Sequence, residues 1–341
     1  MSQSFSPLRK FVSPEIIFGA GCRHNVANYA KTFGARKVLV VSDPGVIAAG
    51  WVADVEASLQ AQGIDYCLYS AVSPNPRVEE VMLGAEIYRQ NHCDVIVAVG
   101  GGSPMDCGKA IGIVVAHGRS ILEFEGVDMI RVPSPPLILI PTTAGTSADV
   151  SQFVIISNQQ ERMKFSIVSK AVVPDVSLID PQTTLSMDPF LSACTGIDAL
   201  VHAIEAFVST GHGPLTDPHA LEAMRLINGN LVEMIANPTD IALREKIMLG
   251  SMQAGLAFSN AIRGCGPRHV AQPGRVPRPA AWFVQCGAGG ARGGVQLQLG
   301  TGAFQGDCRS AGYRLPRPQP PADLRAPGGA PDRAQACHRL P

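Results

Sequence analysis

Hydrophobic positions follow two alternating patterns through the first half of the chain. Apolar runs at Lys37–Val41, Asp94–Val99 and Leu137–Ile140 have the length and composition of buried strands. Between them, Trp51–Gln62 and Val78–Asn91 repeat apolar residues every three or four positions, which predicts amphipathic helices. This alternation is typical of an α/β fold with a doubly wound parallel sheet.

The pattern changes in the second half of the chain. The stretches Val150–Ser157 and Lys164–Ser169 predict a β-hairpin. Three long helical patterns follow, at Asp188–Ser209, Asp217–Ala236 and Thr239–Ala261, with short polar connections. We therefore predict an α/β domain over residues 1–185 and a partial all-helical domain over residues 186–262.

Beyond Ile262 neither pattern is found, and residues 263–341 are rich in Gly, Pro, Ala and Arg. Such a composition is typical of a disordered tail. It also arises when a GC-rich gene is translated out of frame. Codons for residues 263–286 can be chosen that, when read one base later, encode LGAVHAMSHSLGGFLDLPHGLCNA. Because that peptide sensibly continues the preceding helix, we expect the tail to be out of frame.

Charge and cysteine content limit the partners and the cellular location that we expect for this protein. The 28 Lys and Arg residues balance 28 Asp and Glu residues, so neither a nucleic acid nor an acidic membrane surface is favoured as a partner. Nine cysteines without a C-x-x-C pair favour a reducing location. Neither a signal peptide nor an apolar run of the ~20 residues that a membrane span requires is found. We therefore expect a soluble, cytoplasmic protein.

Two loops of small residues follow predicted strands. Gly100-Gly101-Gly102-Ser103 precedes a helix expected to start near Pro104 with Ser103 as its N-cap. Glycines and a helix N-terminus suit a phosphate, although the loop matches neither dinucleotide nor P-loop fingerprints and a tight turn is the alternative. The second loop is Thr142–Ser147. Because ligands of open α/β sheets bind at the carboxyl ends of strands, the two loops together predict a nucleotide site.

Single polar residues add to this hypothesis. Asp43 ends another strand, where its carboxylate can accept a hydrogen bond from a ribose hydroxyl and so favour NAD over NADP; a helix-capping or turn Asp is the alternative. Lys164, in the predicted hairpin, can reach a phosphate, with a solvated lysine as the alternative.

Asp198 and His202 are four residues apart in a predicted helix, so their side chains share one face. A carboxylate and an imidazole placed in this way can form half of a divalent-metal site. A core histidine paired with the aspartate is the alternative. Two ligands do not hold a catalytic metal tightly, so a functional site needs further ligands from later in the chain.

Together these residues resemble the iron-dependent (group III) alcohol dehydrogenase family. The resemblance covers about residues 11–262. It is carried by Ser42–Gly45, Pro74-Asn75-Pro76, Gly100–Asp106 with Lys109, Pro141–Thr146 and, most specifically, Ser177–Glu205, in which Asp180, Pro189, Asp198 and Glu205 have the family's spacing.

The resemblance implies a Rossmann-like domain, an all-helical domain and NAD in the cleft between them. The residues implied to contact NAD are Asp43, Asn75, Gly100, Gly101, Gly102, Ser103, Asp106, Thr142, Thr143, Ser147, Lys164 and Leu185. Asp198 and His202 are implied as ligands of Fe(II), or else Zn(II), and no catalytic residue is expected beyond the metal ligands. The implied reaction is hydride transfer between a short primary alcohol or aldehyde and NAD, in a homo-oligomer.

The chain departs from the family at the remaining metal ligands. The positions of the other two ligands and of a proton-relay histidine are occupied by Pro267, Ala281 and Ala271, whereas the shifted reading has histidine at all three. We therefore expect the chain as written to be an impaired enzyme. A non-catalytic NAD-binding remnant and a zinc-dependent glycerol or polyol dehydrogenase of the same superfamily are the alternatives.

Overall fold

A parallel sheet with helices on both faces organises the part of the chain that the computed structural model describes, residues 10–261. The sequence-based predictions that concern residues 263–341, including those for Pro267, Ala271 and Ala281, lie outside the described residues.

The helices and strands have the following bounds. The strands are β1 Glu15–Phe18, β2 Lys37–Val41, β3 Asp65–Tyr69, β4 Val95–Gly100, β5 Gly126–Val127, β6 Leu137–Pro141, β7 Phe153–Asn158, β8 Met163–Val168 and β9 Val176–Ile179. The α-helices are α1 Val26–Thr32, α2 Pro44–Ala48, α3 Trp51–Ala61, α4 Val78–Gln90, α5 Gly102–His117, α6 Pro189–Val208, α7 Asp217–Ala236 and α8 Ile241–Ala261.

The main sheet has six parallel strands in the order β1-β9-β6-β4-β2-β3. Its central strands are buried on both faces because helices cover both sides. Leu39 and Ile96 enter the core beneath α4 and α5, while Val40 and Val97 enter the core beneath α1 and α3. Strands covered in this way must be apolar at every position, which is why their sequences do not alternate. The predicted α/β fold with a doubly wound parallel sheet is confirmed.

A second, smaller sheet stands beside the first. Strands β7 and β8 pair antiparallel, as the sequence predicts, and β5 adds to β8 in parallel. The hairpin packs beside helix α5 through Phe165 and Ile167, which are buried in the same core as Ile111.

One helix start differs from the prediction. Helix α5 begins at Gly102 with Gly101 as N-cap, so Ser103 lies within the first turn and the prediction of Ser103 as N-cap is wrong. The cause is Gly100, whose φ of 155° is open to glycine and turns the chain earlier. A Cβ atom at Gly100 would lie 2.5 Å from the Pro104 ring, so no larger residue fits there.

Helices α6, α7 and α8 pack on one another and form the helical part of the described chain. Ala199, Ala203 and Ala206 form the buried face of α6. By length and composition alone α6 could cross a membrane, a test that the core helix of a soluble protein also passes. The predicted domain boundary falls on the 3-10 helix Pro181–Ser186, just before Asp188 caps α6. Because sheet and helices lie in one compact unit, the division into two domains stays a prediction.

Helices α6 and α8 come close to the sheet at the Thr142–Ser147 loop. The Ser147 hydroxyl donates a hydrogen bond to the carbonyl oxygen of Ser251 in α8, at 2.9 Å. Gly255, one turn further along α8, lies so close that a Cβ atom there would come within 2.7 Å of Val150 Cγ2 and overlap Ser147. Gly145 likewise lies against Thr195 of α6, where an added Cβ atom would be 2.7 Å from the Thr195 Cβ atom. Glycine is therefore required on both sides of this contact.

We predict that Gly255→Ala destabilises the protein by roughly 1–3 kcal/mol, because the added methyl group overpacks this contact. The matched control is Gly229→Ala in α7, where an added Cβ meets no atom within 4 Å. That change is expected to be neutral or to stabilise the helix by up to about 1 kcal/mol. Urea denaturation of both variants measures the difference, and equal unfolding midpoints would contradict the packing argument.

Candidate functional site

A cavity of about 660 Å³ opens between the carboxyl end of the sheet, the β7–β8 hairpin and the helices α6 and α8. It is lined by Asn75, Pro76, Gly102, Ser103, Asp106, Thr146, Ala148, Ser151, Phe153, Ile155, Lys164, Asp198, His202, Glu205, Ser209 and Phe258. Residues predicted for the cofactor and residues predicted for the metal therefore face the same space.

A chain of hydrogen bonds joins three of the predicted cofactor residues on one wall. Lys164 Nζ donates to Asn75 Oδ1 at 2.6 Å, and the Asn75 backbone N–H donates to Ser103 Oγ at 3.1 Å. Asn75 has a φ of 61°, in the left-handed region that Asn tolerates better than most residues. The network holds an exposed ammonium group beside the first turn of α5, where a helix also favours negative charge.

The glycine loop behind this wall packs closely against the Thr142–Ser147 loop. A Cβ atom at Gly102 would lie 3.1 Å from Thr146, and one at Gly101 would lie 3.3 Å from Thr143. No side chain caps the N-terminus of α5, and the Thr143 hydroxyl is buried without a hydrogen-bond partner. A cradle of this kind, with an uncapped helix N-terminus, suits the pyrophosphate of a dinucleotide.

Two charged side chains, one partly exposed and one buried, support the floor of the cavity. Asp106 Oδ2 accepts a hydrogen bond from the Ile155 N–H at 3.2 Å, and burial raises the pKa of this carboxyl to about 7 even though the Lys109 charge acts in the opposite direction. Lys109 is fully buried and donates to the carbonyl oxygens of Ser151 (2.8 Å) and Phe153 (3.1 Å). Burial lowers the pKa of Lys109 to about 8. The hydrogen bonds from Lys109 hold the segment that leads into β7 against helix α5.

Asp198 and His202 lie on the opposite wall, on one face of α6 as their spacing predicts. Asp198 Oδ1 is 3.9 Å from His202 Nε2, and the imidazole packs against Phe258 with ring centroids 4.5 Å apart. The Nδ1 atom of His202 is buried and has no hydrogen-bond partner among residues 10–261. A buried nitrogen without a partner fits a ligand that is still to be supplied.

The metal site is nevertheless incomplete within the described residues. Residues 10–261 contain no group of three or more His, Cys, Asp or Glu side chains placed to hold a metal ion. Asp198 and His202 therefore fit half of a metal site, and they do not form a whole one.

The other predicted cofactor residues do not line the cavity. Asp43 caps α2, its Oδ1 accepting the N–H groups of Gly45 at 2.8 Å and Val46 at 3.0 Å. Six further residues are also absent from the cavity lining, and one of them, Ser147, donates its hydroxyl hydrogen bond to α8. They are Gly100, Gly101, Thr142, Thr143, Ser147 and Leu185.

Several cavity residues were not singled out from the sequence. They are Pro76, Thr146, Ala148, Ser151, Phe153, Ile155, Glu205, Ser209 and Phe258. Pro76, Thr146 and Glu205 belong to motifs that the sequence shows, so their positions are a usable signal. Phe153 and Phe258 contact each other with ring centroids 5.5 Å apart, and no local pattern marks two apolar residues that meet from a strand and a helix.

Comparison with known families gives two matches along the chain. The model described as "Iron-containing alcohol dehydrogenase" matches residues 13–181. The model described as "Fe-containing alcohol dehydrogenase family, C-terminal" matches residues 192–269.

Curated proteins of similar sequence carry related names. "Alcohol dehydrogenase 4" of Schizosaccharomyces pombe is 39% identical over 77% of this chain and 63% of its own length. "1,3-propanediol dehydrogenase" of Citrobacter freundii is 40% identical over 72% of this chain and 64% of its own length. "NAD-dependent methanol dehydrogenase" of Bacillus methanolicus is 35% identical over 74% and 67%. The matched part thus spans a little under two thirds of the first two relatives.

Solved structures show the same likeness. The crystal structure of a 1,3-propanediol oxidoreductase matches with a TM-score of 0.74 at 36% identity, covering 75% of this chain and 67% of the other. A sulfoacetaldehyde reductase from Bifidobacterium kashiwanohense, solved in complex with NAD+, matches with a TM-score of 0.70 at 34% identity, covering 75% and 68%.

The raised pKa of Asp106 predicts a measurable pH dependence. The folded-state pKa of about 7 lies above the ordinary value of 3.8, so this group's contribution to stability is present in full below about pH 4 and is lost as the pH rises toward 7. Asp106→Asn keeps an acceptor for the Ile155 N–H and removes the buried charge.

We therefore expect Asp106→Asn to gain stability relative to the unmodified chain between about pH 4 and pH 7, reaching roughly 1–3 kcal/mol. Urea denaturation of both proteins across that range measures the gain, with the acidic end as the internal control. A difference that does not change with pH would contradict burial of the Asp106 charge.

Proposed function

Because the chain belongs to the iron-containing alcohol dehydrogenase family, we propose that its cavity binds NAD and serves hydride transfer to or from a small primary alcohol or aldehyde. The observation that carries the proposal is one cavity with a phosphate-type cradle on one wall and a carboxylate–imidazole pair on the other. Relatives named for propanediol, methanol and lactaldehyde support the substrate class.

The cradle residues would hold the pyrophosphate of NAD. The backbone of Gly101 and Gly102 and the N-terminus of α5 would bind its oxygens, and Lys164, fixed by Asn75, would add a positive charge. When bound, NAD supplies the nicotinamide ring that accepts or donates the hydride. Ser103 and Asp106 complete the wall along which the cofactor would lie.

The adenosine end would lie toward Asp43. Its Oδ1 atom is engaged in capping α2, which leaves Oδ2 to accept a hydrogen bond from a ribose hydroxyl. A carboxylate at this strand end repels a 2′-phosphate, so we propose a preference for NAD over NADP. Gly100, Thr142, Thr143, Ser147 and Leu185 would support the cofactor from behind or beside the cavity.

Asp198 and His202 would be two ligands of a divalent metal, Fe(II) for this family with Zn(II) as the alternative. The 3.9 Å separation of Asp198 Oδ1 and His202 Nε2 supports an ion shared by the two side chains. Within the described residues no third ligand approaches, and Pro267 and Ala281 stand where the resemblance expects the remaining two. We therefore propose that the chain as written binds metal weakly and has little activity.

The two-domain organisation and the shifted tail complete the proposal. An α/β domain over residues 1–185 and a partial helical domain over residues 186–262 would enclose the cleft. The family match that ends at residue 269 supports an altered reading frame beyond about residue 263. Side chains of α6 and α7 that remain exposed, Phe190 at 73% and Val232 at 58%, support the loss of helices that would cover them. The nucleotide sequence around codon 263 would test the altered reading frame. For the frame-restored protein we propose a cytoplasmic homo-oligomer.

A second candidate function is NAD binding without catalysis. It is favoured by one observation, the half-complete metal site on α6. The two functions share the cofactor cradle and differ in turnover, so metal uptake and activity discriminate between them.

We predict that Lys164→Met weakens NADH binding roughly fivefold to tenfold, because a positive charge beside the phosphates is lost. Lys170→Met is the matched control, since Lys170 is an exposed lysine that does not line the cavity. Titration by NADH fluorescence gives both dissociation constants. Equal affinities for the two variants would contradict the assignment of Lys164.

We also predict that the full chain, loaded with Fe(II) and desalted without oxygen, retains well under one iron per chain. NAD-linked oxidation of ethanol or 1,3-propanediol should be near background, because two side-chain ligands hold a catalytic metal poorly. Elemental analysis and NADH absorbance provide the measurements, with the frame-restored protein as positive control. Stoichiometric iron with alcohol-dependent NADH formation would refute the proposed impairment.

A further inference from the structure

Two thiols meet at the far end of the sheet from the cavity residues of α6. Cys67 lies in the edge strand β3 and Cys93 lies between α4 and β4. Their sulfur atoms are 3.4 Å apart, although 26 residues separate them in the sequence. Cys67 is half-buried and Cys93 is buried.

The backbone places the two thiols together. Helix α4 ends with His92 in the left-handed conformation (φ 53°), the Cys93 N–H donating to the Tyr88 carbonyl and the His92 N–H donating to the Arg89 carbonyl. This arrangement reverses the chain and turns Cys93 back beneath the sheet. Cys67 points to the same face, since it pairs with Leu39, which lies in the core that also contains Cys93.

The pair is chemically unequal. The hydrogen bond between the two sulfurs lowers the pKa of Cys67 to about 7, and the Lys37 charge acts in the same direction. The same interaction, together with burial, raises the pKa of Cys93. Cys67 is therefore the thiol that ionises more readily and is the more accessible of the two, and Cys93 lies behind it.

We propose that Cys67 and Cys93 form a reversible disulfide by exchange with a small-molecule disulfide of the glutathione type. The Cys67 thiolate attacks one sulfur of the small disulfide, and one small thiolate leaves. Cys93 then gives up its proton to solvent and attacks the Cys67 sulfur of the mixed disulfide, releasing the second small thiolate. The two protein thiols are oxidised and the small disulfide is reduced to two thiols, so no further oxidant is required.

The local structure allows the bond to close. A disulfide brings the sulfurs to about 2.05 Å, and strand β3 can shift because it is hydrogen-bonded to the sheet on one side only. The Cys22 thiol differs from these two, because it donates its hydrogen bond to a backbone oxygen, the Ile17 carbonyl.

Closing the bond would cross-link a segment that reaches the cavity. The loop between Cys67 and Cys93 contains helix α4 and Asn75, which positions Lys164 and contacts Ser103. A disulfide restricts the unfolded chain and so stabilises the native state. Oxidation is expected to raise the melting temperature and to limit movement of the wall that carries Asn75.

The test uses the full chain at neutral pH with oxidised glutathione. Free thiols are blocked by alkylation, and trypsin with Asp-N then separates Cys67 in DYCLYSAVSPNPR from Cys93 in QNHC. We expect these two peptides to be linked in native protein and separated again by dithiothreitol, with a raised melting temperature that reduction reverses. When the protein is unfolded in urea, we expect the disulfides to be distributed over other pairs of cysteines.

Variants test the order of attack. Cys93→Ser should leave glutathione attached to Cys67, because the second thiol is missing. Cys67→Ser should leave Cys93 without an adduct, and Cys22→Ser should keep the cross-link. Two results for the folded protein without substitutions would overturn the proposal. One is that Cys67 retains glutathione, and the other is that the Cys67–Cys93 disulfide is no more abundant than in urea.

Discussion

The contact between the Thr142–Ser147 loop and helix α8 determines where the two walls of the cavity stand. It depends on Gly255, where an added Cβ atom would overlap Ser147, and on the hydrogen bond from Ser147 to the Ser251 carbonyl. Gly145 of the same loop lies equally close to Thr195 of α6. Because helices α6 and α8 pack on each other, this one close approach places the carboxylate and imidazole of α6 opposite the N-terminus of α5. If the loop were displaced, the cofactor cradle and the metal half-site would no longer face the same space.

The cavity has an uneven distribution of charge that matches its proposed occupants. On the sheet side, the N-terminus of α5 and the Lys164 ammonium group favour an anion. On the helical side, Asp198 and Glu205 offer carboxylates beside the imidazole of His202, which favours a cation. An anionic cofactor and a divalent metal would occupy opposite walls, with the substrate between them. The buried Lys109 fixes the segment that connects the loop to strand β7, and so holds the floor between the two walls.

The sequence predicted the α/β fold and the facing positions of Asp198 and His202, because both follow from short-range periodicity. Buried parallel strands must be apolar throughout, and residues four apart on a helix share a face. The prediction of Ser103 as N-cap failed because the backbone conformation of Gly100 moves the helix start. Phe258, and the contact between Cys67 and Cys93, left no local signal, since they depend on residues that meet only after folding.

The central claim is that the chain keeps the cofactor half of a dehydrogenase active site without the metal half. The most direct measurement is the dissociation constant of NADH for the full chain, with and without Fe(II) under anaerobic conditions. We expect saturable binding of one NADH per chain with the same dissociation constant in both conditions. An absence of saturable NADH binding, or binding that tightens markedly with Fe(II), would contradict it.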